Sequence, residues 1–284
     1  MIIDREEIIK IIESLNDIPT LNFIHQKVIS VANDPLSSAA DLAKVISMDP
    51  ALSSKVLKLS NSAYYGFPRK VSSISQAVTI LGFKTIKNLA LGVMVYESLF
   101  KNQTASVDMK KLWEHSINVA IFSELLGEKL NYPNKEELFI CGLLHDIGKA
   151  VWAIINPDIL KYVLEVCRKT SLSFYEAEIH LEIPSHQTTG EIICRKWNFP
   201  EIITLSVSNH HTPTNVKDVY FDIVSVVHVA DLLSNTVFGH LNWYPSKLIN
   251  VETWNALKLK PNMVNKIVQE IKKRFESAKD FLNM

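Results

Sequence analysis

Glycine and proline are scarce in this 284-residue chain, at 8 and 11 residues. Together they make up about 7% of it, against a usual ~12%. Sandwiches and barrels need a turn residue every few positions, so the shortage excludes a strand-rich fold and points to long helices. Cysteine is rare too. Cys141, Cys167 and Cys194 are odd in number and far apart, which fits a reducing cytoplasm and excludes a disulfide framework. No apolar run approaches the ~18 residues of a membrane span, so a membrane is not an expected partner. The first residues, Met1-Ile2-Ile3-Asp4-Arg5-Glu6-Glu7, are acidic where a secretory leader would be basic and then apolar. Net charge is missing as well, because 30 Lys and Arg balance 30 Asp and Glu. Without a global field, nucleic acid is not the expected partner either. What the chain does have is apolar content, at 47%, enough for a sizeable core and too much for disorder.

Helical periodicity runs through almost the whole sequence. Between Ser38 and Asp49, the residues Leu42, Val45 and Ile46 form one apolar stripe at i, i+3 and i+4. Asp49-Pro50 restarts the chain, since aspartate caps free amides and proline suits a first helical turn. Leu52, Val56 and Leu59 carry the stripe on to Asn61, and residues 63–68 read as a loop. Ser73 caps a further helix, Gly82 breaks it, and the next helix spans 85–100. Polar residues 102–108 without periodicity suggest a junction, dividing the chain into an N-terminal portion, 1–101, and a second portion, 108–284. In the second portion the periodicity predicts helices over 112–130, 135–155, 159–169, 186–197, 200–209 and 219–238. An irregular connection surrounds Pro245, and Val264, Ile267, Ile271, Phe275 and Phe281 mark a final amphipathic helix. No stretch alternates at period two for long. The expected fold is all-α, one continuous helical body in which Leu89, Val93 and Tyr96 of the first portion are covered by the second.

Most of the nine histidines lie in the second portion. His145-Asp146 ends an apolar helix, and burying such a pair is costly unless something pairs with it. A hydrogen bond between the two would serve for the dipeptide alone; a divalent cation would serve too, since imidazole and carboxylate are natural ligands. The wider pattern favours the cation. His115 shares a helix face with Val119, Phe122 and Leu126, and Asp231 shares one with Val227 and Val224. His186 lines up with Gly190, Ile193 and Trp197, and His210-His211 ends the helix carrying Ile203 and Val207. Any one of these is more often structural, but so many inward-pointing ligand types in one apolar bundle suit a metal site. His25, His180 and His240 have no such placement. His228 stands one turn before Asp231, where it could orient that ligand.

Other chemistries find little support. There is no glycine-rich phosphate loop and no Gly-x-Ser-x-Gly elbow. Between Asp41 and Leu91, seven basic residues (Lys44, Lys55, Lys58, Arg69, Lys70, Lys84, Lys87) face two acidic ones, a lean that usually marks a solvated face.

The segments Asp49-Pro50-Ala51-Leu52, Val56-Leu57-Lys58-Leu59-Ser60-Asn61-Ser62-Ala63-Tyr64-Tyr65-Gly66 and Ile74-Ser75-Gln76-Ala77-Val78-Thr79-Ile80-Leu81-Gly82 resemble the signature of the HDOD family of bacterial "HD-related output domain" proteins. The resemblance runs over about 18–213. It implies an all-helical fold with an N-terminal helical portion packed on an HD-phosphohydrolase-like portion. It also implies a role in bacterial signal transduction, as an output or regulatory module that meets a signalling protein. Many members of the family lack metal ligands, but this chain keeps them. His115, His145, Asp146 and Asp231 match the minimal HD ligand set, while His186, His210 and His211 match the extra histidines of dinuclear HD phosphodiesterases. In that scheme Asp146 bridges the two ions, and Lys149 matches a lysine that polarises substrate phosphate. The cofactor implied is a divalent metal, mononuclear or dinuclear, of the Fe, Mn, Zn or Ni kind. After His211 the chain reads Thr212-Pro213-Thr214-Asn215, without the Gly-Tyr-Pro of cyclic-di-GMP phosphodiesterases. The reading favoured by the resemblance is a regulatory module with a metal-binding HD site. Its alternative is a metal-dependent phosphohydrolase acting on a nucleotide or phosphoester, not of the Gly-Tyr-Pro type.

Overall fold

In a computed structural model, residues 10, 13–101, 108–133, 135–239 and 249–283 are described. Residues 102–107 of the junction read at 102–108, His240 and the connection around Pro245 lie outside the described residues. Among those described there is no strand, and helices follow one another throughout. In chain order they are α1 (Phe23–Asn33), α2 (Ala39–Ser47), α3 (Pro50–Ser60), α4 (Ile74–Leu81) and α5 (Phe83–Val95), which runs into a single π turn, Tyr96–Phe100. Then come α6 (Met109–Lys129), α7 (Lys135–Leu144), α8 (Ile147–Ile155), α9 (Pro157–Thr170), α10 (Phe174–His180), α11 (His186–Lys196) and α12 (Glu201–Asn209). The chain ends with α13 (Phe221–Phe238), α14 (Val251–Ala256), α15 (Pro261–Ser277) and the short α16 (Lys279–Leu282).

The local chemistry of the starts is what the sequence pattern implies. Ser38 forms a reciprocal capping box with Asp41, Asp49 accepts from the amides of Ala51 and Leu52 ahead of Pro50, and Ser73 accepts from Gln76. Each satisfies amides that a helix N-terminus leaves unpaired. Gly82 sits at φ +86°, a conformation that costs a glycine little, so α4 ends and α5 begins on one residue.

Two departures from the sequence reading matter for the site. The helix expected over 135–155 is two helices, broken at His145-Asp146. The helix α10 was not anticipated, although Ser173 and Glu176 make a complete capping box at its start. The membrane argument also needs correction. Residues Lys135–Ile155 and Phe221–Phe238 do have the length and mean hydropathy of a span, at 1.7 and 1.4. They are 89% and 67% buried inside the protein, and they are core helices.

The N-terminal helices pack on the rest of the chain through apolar contacts. Helix α5 lies against α7, so closely that a Cβ on Gly92 would stand 2.9 Å from Leu143. Leu89 and Val93 are buried there. The rings of Tyr96 and Phe100 pack at a tilt on that of Trp113 on α6, with centroids 5.1 and 5.0 Å away. At the far end, Lys196 and the Trp197 indole donate to the carbonyls of Ile18 and Pro19. Phe281 of α16 fills the seam, its ring within 6 Å of Tyr64 and Phe139. The indole of Trp113 donates to its carbonyl. The three cysteines are buried and unpaired.

Candidate metal centre

The break between α7 and α8 makes the site. It frees His145 and Asp146 from helical geometry at the point where α6, α11, α12 and α13 converge. Gly148, one residue into α8, sets how closely that helix approaches α11. A Cβ there would stand 1.8 Å from the carbonyl oxygen of His186, so α8 and α11 meet backbone to backbone. Only glycine permits that approach.

All seven His and Asp residues singled out in the sequence meet in one place, in two halves that share Asp146. In the first half, His115 Nε2 is 3.3 Å from His145 Nε2, 3.6 Å from Asp146 Oδ2 and 3.1 Å from Asp231 Oδ1. His145 Nε2 lies 3.4 Å from Asp146 Oδ2 and 3.8 Å from Asp231 Oδ1. In the second half, His186 Nε2 is 3.3 Å from His210 Nε2 and 3.1 Å from His211 Nε2. The other oxygen of Asp146, Oδ1, stands 3.4 Å from His186 and 3.6 Å from His210. A four-coordinate ion with bonds of ~2.0–2.2 Å separates its ligands by roughly 3.3–3.6 Å, the edge of the tetrahedron. The donor separations in the two halves, 3.1–3.8 Å, lie around that spacing.

The groups behind the donors fix which atom points inward. His145 Nδ1–H donates to the Gly142 carbonyl at 2.8 Å, and His210 Nδ1–H donates to the Val207 carbonyl at 2.9 Å. His186 Nδ1–H meets Glu178 Oε2 at 2.6 Å. In each ring this leaves the Nε2 lone pair for the centre, the usual backing of a ligating imidazole. Asn235 Nδ2 donates to Asp231 Oδ1 at 2.8 Å. His228 does not serve Asp231 as its spacing suggested. Its Nδ1–H donates to the His210 carbonyl at 2.7 Å, and its Nε2 accepts from the Asn250 amide. His25 is buried within the N-terminal helices and His180 is exposed, both apart from the centre.

Electrostatics agree with the donor roles. Burial pushes the imidazoles of His186, His210 and His211 well toward the neutral form, the form that binds metal. Burial also works to raise the Asp146 carboxyl, but the ammonium of Lys149 and the ring of His145 outweigh it and hold the group well below the usual range. For Asp231 the same burial is overcome by the hydrogen bond and charge of His115, then by His145. Lys149 Nζ donates to Asp146 Oδ2 at 2.7 Å and lies 5.0 Å from the Phe174 ring centre. One atom is left over. Asp146 Oδ1 is buried and has no hydrogen-bond partner among the described residues. An orphaned carboxylate oxygen costs free energy that a cation would recover, so the residues present fit a divalent metal.

Sequence reasoning missed Glu178, Asn235 and Tyr175. Glu178 is buried and holds His186, and Tyr175 stacks its ring on His211 with centroids 4.9 Å apart. The signal for α10 was present in Ser173-x-x-Glu176, and Glu178 follows Phe174 by one turn on the same face.

Comparisons with known proteins agree with this architecture. Residues 18–213 match the HDOD domain family. An uncharacterised protein of Treponema pallidum (strain Nichols) is 26% identical over 223 residues, 78% of this chain. The chain spans 43% of the length of that relative. An HDOD domain protein from Geobacter sulfurreducens superposes with a TM-score of 0.80 at 22% identity, covering 98% of this chain and 99% of its own. A phosphohydrolase candidate from Shewanella amazonensis SB2B superposes with a TM-score of 0.75 at 20% identity, covering 95% and 97%. Identities this low establish a shared fold.

Proposed function

The chain belongs to the HDOD domain family, and from that premise we propose that it is a cytoplasmic regulatory module of bacterial signal transduction whose HD portion is a metal-dependent phosphohydrolase centre. The observation that carries the reading is the Asp146 carboxylate. It stands between two sets of imidazoles with one oxygen toward each, and Oδ1 has no partner. His115, His145 and Asp231 would hold one divalent cation and His186, His210 and His211 the other. When bound, such cations supply Lewis-acid charge to a phosphoryl group and activate water. The chain's own residues do the rest. Lys149 places a positive charge beside the centre, where a phosphate oxygen would be neutralised. His211, the donor left partly open to solvent, and its stacking partner Tyr175 form the side from which a phosphoester would enter. The sequence after His211 lacks Gly-Tyr-Pro, which favours a nucleotide or simple phosphoester over cyclic-di-GMP.

The test is elemental analysis of the purified protein, followed by phosphate release from nucleoside monophosphates, cyclic dinucleotides and p-nitrophenyl phosphate. Bound Fe, Mn, Zn or Ni near stoichiometry, with turnover abolished in Asp146→Ala, is the expected result. A protein that neither carries nor takes up a divalent cation would remove the proposal.

A second reading, a non-catalytic module that acts through a protein partner, has its own observation. Leu36 and Met48, beside α1 and α2, are 91% and 48% exposed and line one surface depression with Val31 and Val45, apolar surface of the kind a partner covers. Stoichiometric metal without turnover on the whole panel would favour it.

A further inference from the structure

A cavity of about 440 Å³ opens at the seam between the two portions, at the end of α11 opposite His186. That size falls within the range of small-molecule sites. Its floor is apolar, made by the buried side chains of Leu21 and Ile29 from the first portion and Trp197 from the second. Hydrogen bonds across the seam hold the walls in place. Trp197 Nε1–H donates to the Pro19 carbonyl at 2.8 Å, and Asn33 Nδ2 donates to the Asn198 carbonyl at 2.7 Å. Gln26 Nε2 donates to the Leu21 carbonyl at 2.9 Å and fixes the strap that crosses the floor. Helix α11 stops there because Asn198 takes a left-handed turn, φ +55°, which asparagine tolerates. Among the described residues that line the cavity, Lys196 carries the one charge. Its Nζ donates to the Ile18 carbonyl at 2.7 Å, and no carboxylate of the described residues pairs with it. An ammonium has three donors, so this one keeps capacity for a ligand.

We propose that this cavity binds a small organic acid, with an apolar body on Leu21, Ile29 and Trp197 and one carboxylate on Lys196. Each part of the lining argues for that class. The apolar floor has nothing to offer a bare inorganic anion. A polyphosphate carries several charges, and the lining answers only one. A metal ion has no carboxylate or imidazole to meet here, and a neutral ligand leaves Lys196 without a counter-charge. Gln26 and Ser30 at the rim are polar without charge, the few placed groups that orient a ligand in an otherwise apolar pocket. The inference is independent of the metal-centre reading. A bound acid touches both portions at once, so it ties the first portion to the helix that carries His186.

The experiment adds naphthoate, phenylbutyrate and octanoate, each beside its neutral primary amide, to the full chain. Binding is followed by ligand-detected NMR and by the rise in melting temperature. At least one acid is expected to bind with a dissociation constant of ~1 mM or below, ordinary for a ligand of about a dozen heavy atoms. It should bind at least ~5-fold more tightly than its amide, as a charge-assisted hydrogen bond allows. Lys196→Met should erase that preference, while Lys196→Arg, which keeps the charge and its donors, should retain it. Ser30→Trp, at an exposed position on the rim, should fill the cavity and weaken acid and amide alike by ~10-fold or more. Helical circular dichroism identical to the parent's shows that each variant is folded. No binding by any of the three acids, equal affinity for acids and amides, or binding unchanged in Ser30→Trp would each overturn the site. A preference for acids that survives Lys196→Met would overturn the place given to Lys196.

Discussion

Glu178 holds His186 with both of its oxygens. Oε1 accepts the His186 backbone N–H at 2.8 Å, and Oε2 meets the ring Nδ1–H at 2.6 Å. The carboxyl is buried, and burial drives its pKa well up despite the pull of Lys149 and the His186 amide. Such a group is kept for what it positions, because its burial alone is unfavourable. Glu178→Ala frees the ring to rotate and should weaken metal binding at the His186 half by ~10–100-fold. Glu178→Gln can still accept from Nδ1–H, but it turns an amide N–H toward the His186 N–H, so its loss should be smaller. Equilibrium dialysis of the two variants against zinc checks the ranking.

Gly148 is the pivot that lets α8 touch α11. Gly148→Ala introduces a Cβ 1.8 Å from the His186 carbonyl oxygen and 2.8 Å from the Gly190 nitrogen. Both are backbone atoms that cannot swing aside. The two helices must separate, at a cost of about 1–3 kcal/mol for overpacking, and His186 moves with its helix. A lowered melting temperature together with reduced metal content is expected. A variant that lost metal without losing stability would show that the contact is slack.

How much of this was legible in the sequence follows from what kind of signal each feature left. Periodicity marked most of the helices, because an apolar stripe at i, i+3 and i+4 follows directly from helical geometry. Ligand identities were legible because His115, His186 and Asp231 fall on those stripes, where an ionisable side chain is out of place. The break at His145-Asp146 was not, since Leu143, Leu144 and Ile147 continue the apolar run across it and no proline or asparagine marks the stop. Glu178 was hidden for another reason: its partner is eight residues away, across the turn between α10 and α11. The role of His228 was misplaced because spacing along α13 reports neighbours on that helix, while its hydrogen bonds go to His210 and Asn250.

Away from the centre, Glu124 on α6 accepts the Tyr64 hydroxyl of the signature loop. Burial raises its carboxyl above the ordinary 4.5, although the Tyr64 hydrogen bond works against it. The folded state therefore favours the protonated form. Its contribution to stability is fully present below the unfolded pKa and is lost as pH rises through the raised folded value. Glu124→Gln keeps an acceptor for Tyr64 and has no charge to bury. It should gain stability at pH 7 and flatten the parent's decline as pH rises from the ordinary carboxylate range toward neutrality. Urea unfolding across that range distinguishes the two. An equally steep decline in Glu124→Gln would place its origin elsewhere.

The strongest dependence belongs to Asp146. Its carboxylate is 1% exposed, touches both halves of the centre and is held ionised largely by Lys149 and His145 against its burial. A ligand that binds only the folded state stabilises it by mass action, by about 2.7 kcal/mol at a hundredfold excess over its dissociation constant. In a chain of this size that corresponds to a shift of roughly 5–10 °C in melting temperature. Stripping metal from the parent with a chelator should lower its melting temperature by that amount. Asp146→Asn preserves the shape of the side chain but supplies no anionic oxygen to either half, so both halves should lose affinity together. Its melting temperature should then be nearly indifferent to the chelator, with the helical circular dichroism unchanged. A comparable fall in the variant would mean that the imidazoles hold metal without Asp146. The carboxylate would then be paired with Lys149 for structural reasons alone.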